Sequence, residues 1–232
     1  MKWLVWREYR LNWLILIAGS VLLLLPYVIG LINLCWWISQ GWRGSVLFLN
    51  AFYMAAFYSV ILCQLTVALL GGNAIAGERA DRSAEFMAYL PLSRPRRLAS
   101  KLILIVTTMA VLWAVNLAVM LILPAVFPEE GHPFQNPPNV FWVYLAVTAL
   151  TFFGVGWLIS SLQSSPTFAI CGALISPLVV YMCLYWAAWA RGIPLASSYD
   201  PWTGIGYVVI CSVVAVVCFA IGTWYYLRRV EP

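Results

Sequence analysis

A chain of 232 residues with 64% apolar and 9% charged positions is unlike a soluble domain, where roughly 45–50% apolar and about 25% charged residues are usual. The formal net charge of +5 does not indicate a nucleic-acid binder, because the basic residues sit in short segments flanking apolar runs and form no continuous solvated face. The composition is that of an integral membrane protein, and the 13 Trp and 12 Tyr agree, since amphipathic rings favour the headgroup level.

Residues 1–12 set Trp3, Leu4 and Trp6 beside Lys2, Arg7, Glu8 and Arg10, which predicts an amphipathic helix lying in the interface plane. Residues 13–38 form the first span. That run exceeds the roughly 7–15 residues of a signal-peptide core and lacks a clear small-x-small cleavage site. About 20 apolar residues at 1.5 Å each cross a core of roughly 30 Å, and Pro26 is expected to kink this helix. A connection carrying Arg43 leads to the second span, 46–70, where Ala68, Gly72 and Ala76 recur every fourth residue towards and beyond its end. Such a stripe serves close helix packing or a hinge. Beyond the charged segment 77–97 come a third span over 98–123, a Pro-rich loop over 124–138, and a fourth span over 140–159. An uncharged turn over 160–166 precedes the fifth span, 168–189, which contains Pro177. Residues 191–203 read as a loop whose Ile193, Leu195 and Trp202 dip back into the interface, and 205–227 as the sixth span. The expected fold class is an all-α integral membrane protein: six transmembrane helices in a single domain over 1–232, an interfacial helix before them and a short cytoplasmic helix between spans 2 and 3.

Six spans leave both termini on one side. That side carries 11 basic residues (Lys2, Arg7, Arg10, Arg79, Arg82, Arg94, Arg96, Arg97, Lys101, Arg228 and Arg229), whereas the other carries Arg43 and Arg191. The positive-inside rule puts both termini and the charged segment in the cytoplasm, with the chain as a multi-pass protein of the cell membrane.

The stretch from Gly77 to Lys101 holds nine of the chain's 21 Asp, Glu, Lys and Arg residues. Ser83 can cap a short helix ending at Leu90, with Glu85 in its first turn and Pro91 as its stop. Phe86, Met87 and Leu90 give that helix an apolar face, which rests on lipid or enters a partner's groove. Ser93 can cap the next helix. Arg94, Arg96, Arg97 and Lys101 stand near its start, where cations oppose the helix dipole by roughly 0.3–1 kcal/mol each, while anionic headgroups return about 1 kcal/mol per basic residue. These four read as membrane anchors. Glu78, Arg82 and Glu85 fall at i, i+4 and i+7, a charge cluster at the membrane boundary in which a solvated ion pair would add only a few tenths of a kcal/mol.

Enzyme signatures are scarce. The lone His132 lies beside Glu129 and Glu130 in the Pro-rich loop, and a metal site needs more ligands. HExxH and GxSxG do not occur. GNAIAGER has the GxxxxG spacing of a phosphate loop, but Glu78 stands where lysine must meet phosphate. Six cysteines at or inside apolar runs read as small packing residues. Apart from Lys101 in the first turn of the third span, the spans hold no charged residue, which argues against proton coupling. Gln64 and Asn116 are the bulkiest polar residues there, serving either interhelical hydrogen bonds or cargo contact.

The order glycine, Glu78, charged run, Ser83, Glu85, apolar pair and LPLSR (Leu90 to Arg94), followed by Lys101, resembles the first intracellular loop of the permease subunits of type-2 ATP-binding cassette (ABC) exporters. There the second span ends in a glutamate, a coupling helix docks into the ATPase, and an LP-[VL]-[ST]-R turn leads into the third span. The family loop often reads ERERGT; ERADRS here lacks the glycine. The six-span layout is similar too. The resemblance implies that Ser83, Glu85, Phe86, Met87 and Leu90 dock an ATPase. It also implies that two ABC ATPase subunits carry the ATP and Mg, with no cofactor and no catalytic motif on this chain, and that a second permease copy or a paralogue completes the complex. The cargo would be a hydrophobic or amphipathic lipid, drug or peptide. A non-transporting scaffold or sensor that recruits a cytoplasmic partner is the alternative, and an intramembrane enzyme would need paired catalytic residues that the spans do not contain.

Overall fold

The computed structural model describes residues 2–41, 44–81, 93–126, 139–191 and 201–228. Among them are eight helices: α1 (Lys2–Leu11), α2 (Trp13–Ser39), α3 (Ser45–Asn73), α4 (Ala76–Ala80), α5 (Arg94–Val126), α6 (Asn139–Leu162), α7 (Pro166–Ala190) and α8 (Pro201–Arg228). Six of these, all but α1 and α4, are long and apolar enough to cross a membrane, so the chain is an all-α, multi-pass membrane protein. Helix is the form that lets each backbone N–H and C=O find its partner within its own segment where water is absent.

Proline marks several of the helix starts. Pro166 opens α7 behind Ser165, whose hydroxyl accepts from the Phe168 N–H at 3.5 Å; proline is suited to the first turn because its missing N–H has no helical partner there. For the same reason Pro201, expected in the loop, begins α8, and Pro95 stands in the first turn of α5. The α5 helix also continues through Pro124, where the loop was expected to start. Inside α2, Pro26 supplies no N–H to the turn before it, and the nearby Leu23 carbonyl accepts from the Ser59 hydroxyl of α3 at 2.9 Å.

The described chain falls into two compact units. One comprises Lys2–Thr66 and Leu102–Phe141, the other Val67–Lys101 and Trp142–Pro232. In the first, the Tyr27 hydroxyl of α2 donates to Asn116 Oδ1 of α5 at 2.7 Å, while Asn116 Nδ2 donates to the Leu112 carbonyl at 2.9 Å. Asn116 is fully buried and Gln64 nearly so, and the Asn116 amide is engaged between helices. On α1, Leu4 and Glu8 are buried while Trp3, Trp6 and Tyr9 are exposed.

In the second unit, small residues set the helix spacing. Ala68, Gly72 and Ala76 are all buried, and a Cβ on Gly72 would lie 2.9 Å from the Ile170 nitrogen of α7. A Cβ on Gly156 of α6 would lie 3.1 Å from the Gly72 nitrogen. Such contacts let backbones approach in lipid, where packing replaces hydrophobic drive. Trp157 is fully buried beside Phe153 and Phe219, at ring separations of 5.7 Å from each.

Candidate functional site

The second unit also holds both ends of the charged segment. At Asn73 the helix α3 stops, Ala74 and Ile75 make a turn, and α4 begins at Ala76. A break of this kind strips backbone N–H groups of their helical acceptors. Ser160, near the end of α6, meets two of them: its buried Oγ accepts from Ile75 N at 2.9 Å and Ala76 N at 2.8 Å.

The α4 helix then presents Glu78 and Arg79. The carboxylate Oε1 of Glu78 lies 2.9 Å from Lys101 Nζ on α5, with side-chain exposures of 12% and 3%. Arg79 donates from Nη2 to the Ser161 carbonyl at 2.7 Å and from Nη1 to the Gln163 carbonyl at 3.3 Å. Those carbonyls close the C-terminus of α6, the negative end of its dipole, where a cation is favoured. Burial holds the Arg79 guanidinium below its ordinary value, partly countered by Tyr225 and Tyr226; an arginine ionises so high that it stays charged at neutral pH.

Beyond the segment, Arg94 applies the same device to a different helix. Its Nη1 donates to the Leu227 carbonyl at the end of α8, at 3.0 Å. The helix leading into the charged segment is therefore pinned to α6, the helix leading out is pinned to α8, and the Glu78–Lys101 pair ties the two together.

This arrangement differs from the row of headgroup anchors expected from sequence. Arg96 is exposed, but Arg94 and Arg97 are partly buried and Lys101 is buried. The reason is helical phase. Positions 94, 97 and 101 share one face of α5, and that face turns towards the other helices while 96 points away. Glu78 meets Lys101. Its other expected cluster members, Arg82 and Glu85, lie outside the described residues, as do Ser83, Phe86, Met87 and Leu90 of the expected docking helix. Among the described residues no group of three His, Cys, Asp or Glu side chains is placed to hold a metal.

Ser160 was not singled out from sequence, where it opens an uncharged turn. Its signal was weak: a serine doublet at the end of an apolar run, of which only one member's hydroxyl reaches another helix. Ser161 Oγ bonds its own helix at Leu158 O, 2.7 Å. Ser160→Ala leaves two buried N–H groups without their acceptor and is expected to destabilise the protein by about 2 kcal/mol, whereas Ser161→Ala is expected to change little. Thermal unfolding of the two variants side by side checks this.

Residues 45–203 match the family model described as ABC-2 family transporter protein. No curated protein and no solved structure matches the chain.

Proposed function

The chain belongs to the ABC-2 family of transporter proteins, and from that premise we propose that it is the permease subunit of an exporter whose charged segment receives the stroke of a separate ATPase. As an ABC-2 membrane component it is a transporter permease that works with ABC ATPase subunits and is not itself the ATPase. In the proposed complex two ATPases, which hold the ATP and Mg, dock on residues 83–90 of each of two permease copies, or of this chain and a paralogue. Both termini face the cytoplasm across the cell membrane, α1 lies at the headgroup level with its exposed Trp3 and Trp6, and a hydrophobic or amphipathic cargo moves outward.

The observation that carries this reading is the clamped base of the segment. A loop that only tethers a partner needs no such fixing. A loop that transmits displacement does, because slack at either end absorbs the stroke. The Glu78–Lys101, Arg79 and Arg94 contacts tie both ends to helices that cross the membrane.

Phe86→Glu and Leu90→Glu place a charge on the apolar face offered to the ATPase, and either substitution is expected to lower co-purification with the ATPase at least tenfold, together with cargo-stimulated ATP hydrolysis. If both variants assemble and transport like the wild type, docking is elsewhere. Reconstitution of permease and ATPase in vesicles separates an exporter, which moves cargo when ATP is added, from a scaffold, which binds the ATPase and moves nothing.

A further inference from the structure

The last half of α8 carries an exposed apolar stripe that ends in a cation. Val213, Val217, Ile221 and Trp224 are exposed, as is Arg228, and at about 100° per residue the five fall within about 80° of one another around the helix. They form one face. From Val213 to Trp224 the stripe runs about 17 Å at 1.5 Å per residue, close to the depth of one leaflet in a hydrocarbon core of roughly 30 Å. Arg228 folds back over Trp224, with its guanidinium carbon 5.5 Å from the ring centroid. Its charge therefore stands at the head of the stripe, where an exposed Trp ring marks the headgroup level.

A second cation meets this helix end from another helix of the same unit. Arg94, half-buried in the first turn of α5, donates from Nη1 to the Leu227 carbonyl at 3.0 Å, one residue before Arg228. That bond uses one of the five N–H donors of its guanidinium. Among the described residues neither arginine joins an ion pair: the described acidic partners are Glu8, which pairs with Arg7, and Glu78, which pairs with Lys101. The α8 dipole offsets about half a charge, so the helix end stays positive, and it does so beside lipid, where like charges repel more strongly than in water. An anion with oxygen acceptors relieves this. Phosphate matches the planar guanidinium fork, and an apolar chain attached to it would cover the stripe below.

We propose that Arg94 and Arg228 hold the phosphate of an anionic phospholipid whose head carries no ammonium group, such as phosphatidylglycerol. One acyl chain lies along α8 from Trp224 to Val213. The lipid comes from the membrane half on the side of the charged segment, and its phosphate braces the contact between Arg94 and the end of α8. The site stands independently of the exporter reading, since it needs only the membrane and these two helices.

The test uses the full-length protein, without ATPase, in phosphatidylcholine nanodiscs that contain a trace of phosphatidylglycerol or of phosphatidylcholine, each bearing a diazirine in its acyl chain. Cross-links are mapped by mass spectrometry, and labelling of α8 is normalised to that of α7, whose end on this side, Ser165 and Pro166, holds no charge. Phosphatidylglycerol is expected to label the stripe about five- to thirtyfold more than phosphatidylcholine, the preference conferred by one to two arginines at a membrane surface. Arg228→Gln, at an exposed helix end, is expected to erase most of that preference. Arg96→Gln, which removes an exposed cation pointing away from the other helices, is expected to leave it. Excess soluble glycerol phosphate is expected to leave it too, because a free anion gains nothing from the stripe. Equal labelling by the two lipids, an unchanged preference in Arg228→Gln, an equal loss in Arg96→Gln, or competition by glycerol phosphate overturns the proposal.

Discussion

Lys101→Met is expected to cost the protein about 3 kcal/mol and to reduce ATPase-driven transport well beyond what its lower abundance accounts for. Lys101 is 3% exposed and its ammonium sits 2.9 Å from the Glu78 carboxylate. Removing one member of a buried pair takes the nearest opposite charge from the other, a change that costs about 3–5 kcal/mol, whereas removing both together is often close to neutral. Lys101→Met with Glu78→Gln is therefore expected to regain most of the stability lost in the single variant, giving a coupling of about 1.5 kcal/mol or more in a double-mutant cycle. Transport separates the roles. If the pair only holds the fold, the neutral double variant transports normally; if it also keeps the segment taut, the double variant is stable yet couples ATP hydrolysis poorly to cargo movement. A coupling near zero would show that the contact contributes neither.

The second large effect concerns the packing of α6 on α8. A Cβ on Gly154 would lie 2.9 Å from the Ala215 Cα and 3.0 Å from its carbonyl carbon, and would overlap its carbonyl oxygen. All three are backbone atoms of a membrane-crossing helix, so no rotamer change relieves the clash, and the helices must separate. Gly154→Ala is expected to destabilise by about 2–3 kcal/mol, in the range of overpacked cores, despite the better helix propensity of alanine. Gly172→Ala is the control. There the added methyl meets only the Ile159 side-chain tip, which can rotate away, and unfolding in detergent is expected to show little change or a small gain. Equal losses at the two positions would mean that backbone contact at Gly154 does not set the helix spacing.

Much of the architecture was legible because hydrocarbon imposes a rule that operates along one dimension. A run long enough to cross the bilayer, free of charge and flanked by aromatic and basic residues, has few alternatives to a spanning helix. All six spans announced themselves in this way, as did the charged segment between the second and third. Helix ends were less legible: Pro201 reads as a loop residue until it is seen to occupy a first turn, and Pro124 as a terminator until α5 is seen to continue past it.

The contacts at the base of the segment could not be read from the chain in this way. Ser160 and Ile75 are 85 positions apart, and nothing in either stretch says that the end of α6 lies beside the break after α3. The resemblance carried by Glu78 and LPLSR located the loop but not the partners that hold it. Sequence alone determined the membrane class, the number of spans and the place where charge collects, because each follows from the cost of moving a local stretch of chain from water into lipid. Only the tertiary structure decided that Lys101 turns inward to Glu78 while Arg96 faces out, and that Arg79 and Arg94 close two different helix ends. Those outcomes depend on which face of each helix meets a neighbour, and that is settled by packing among segments distant in the chain.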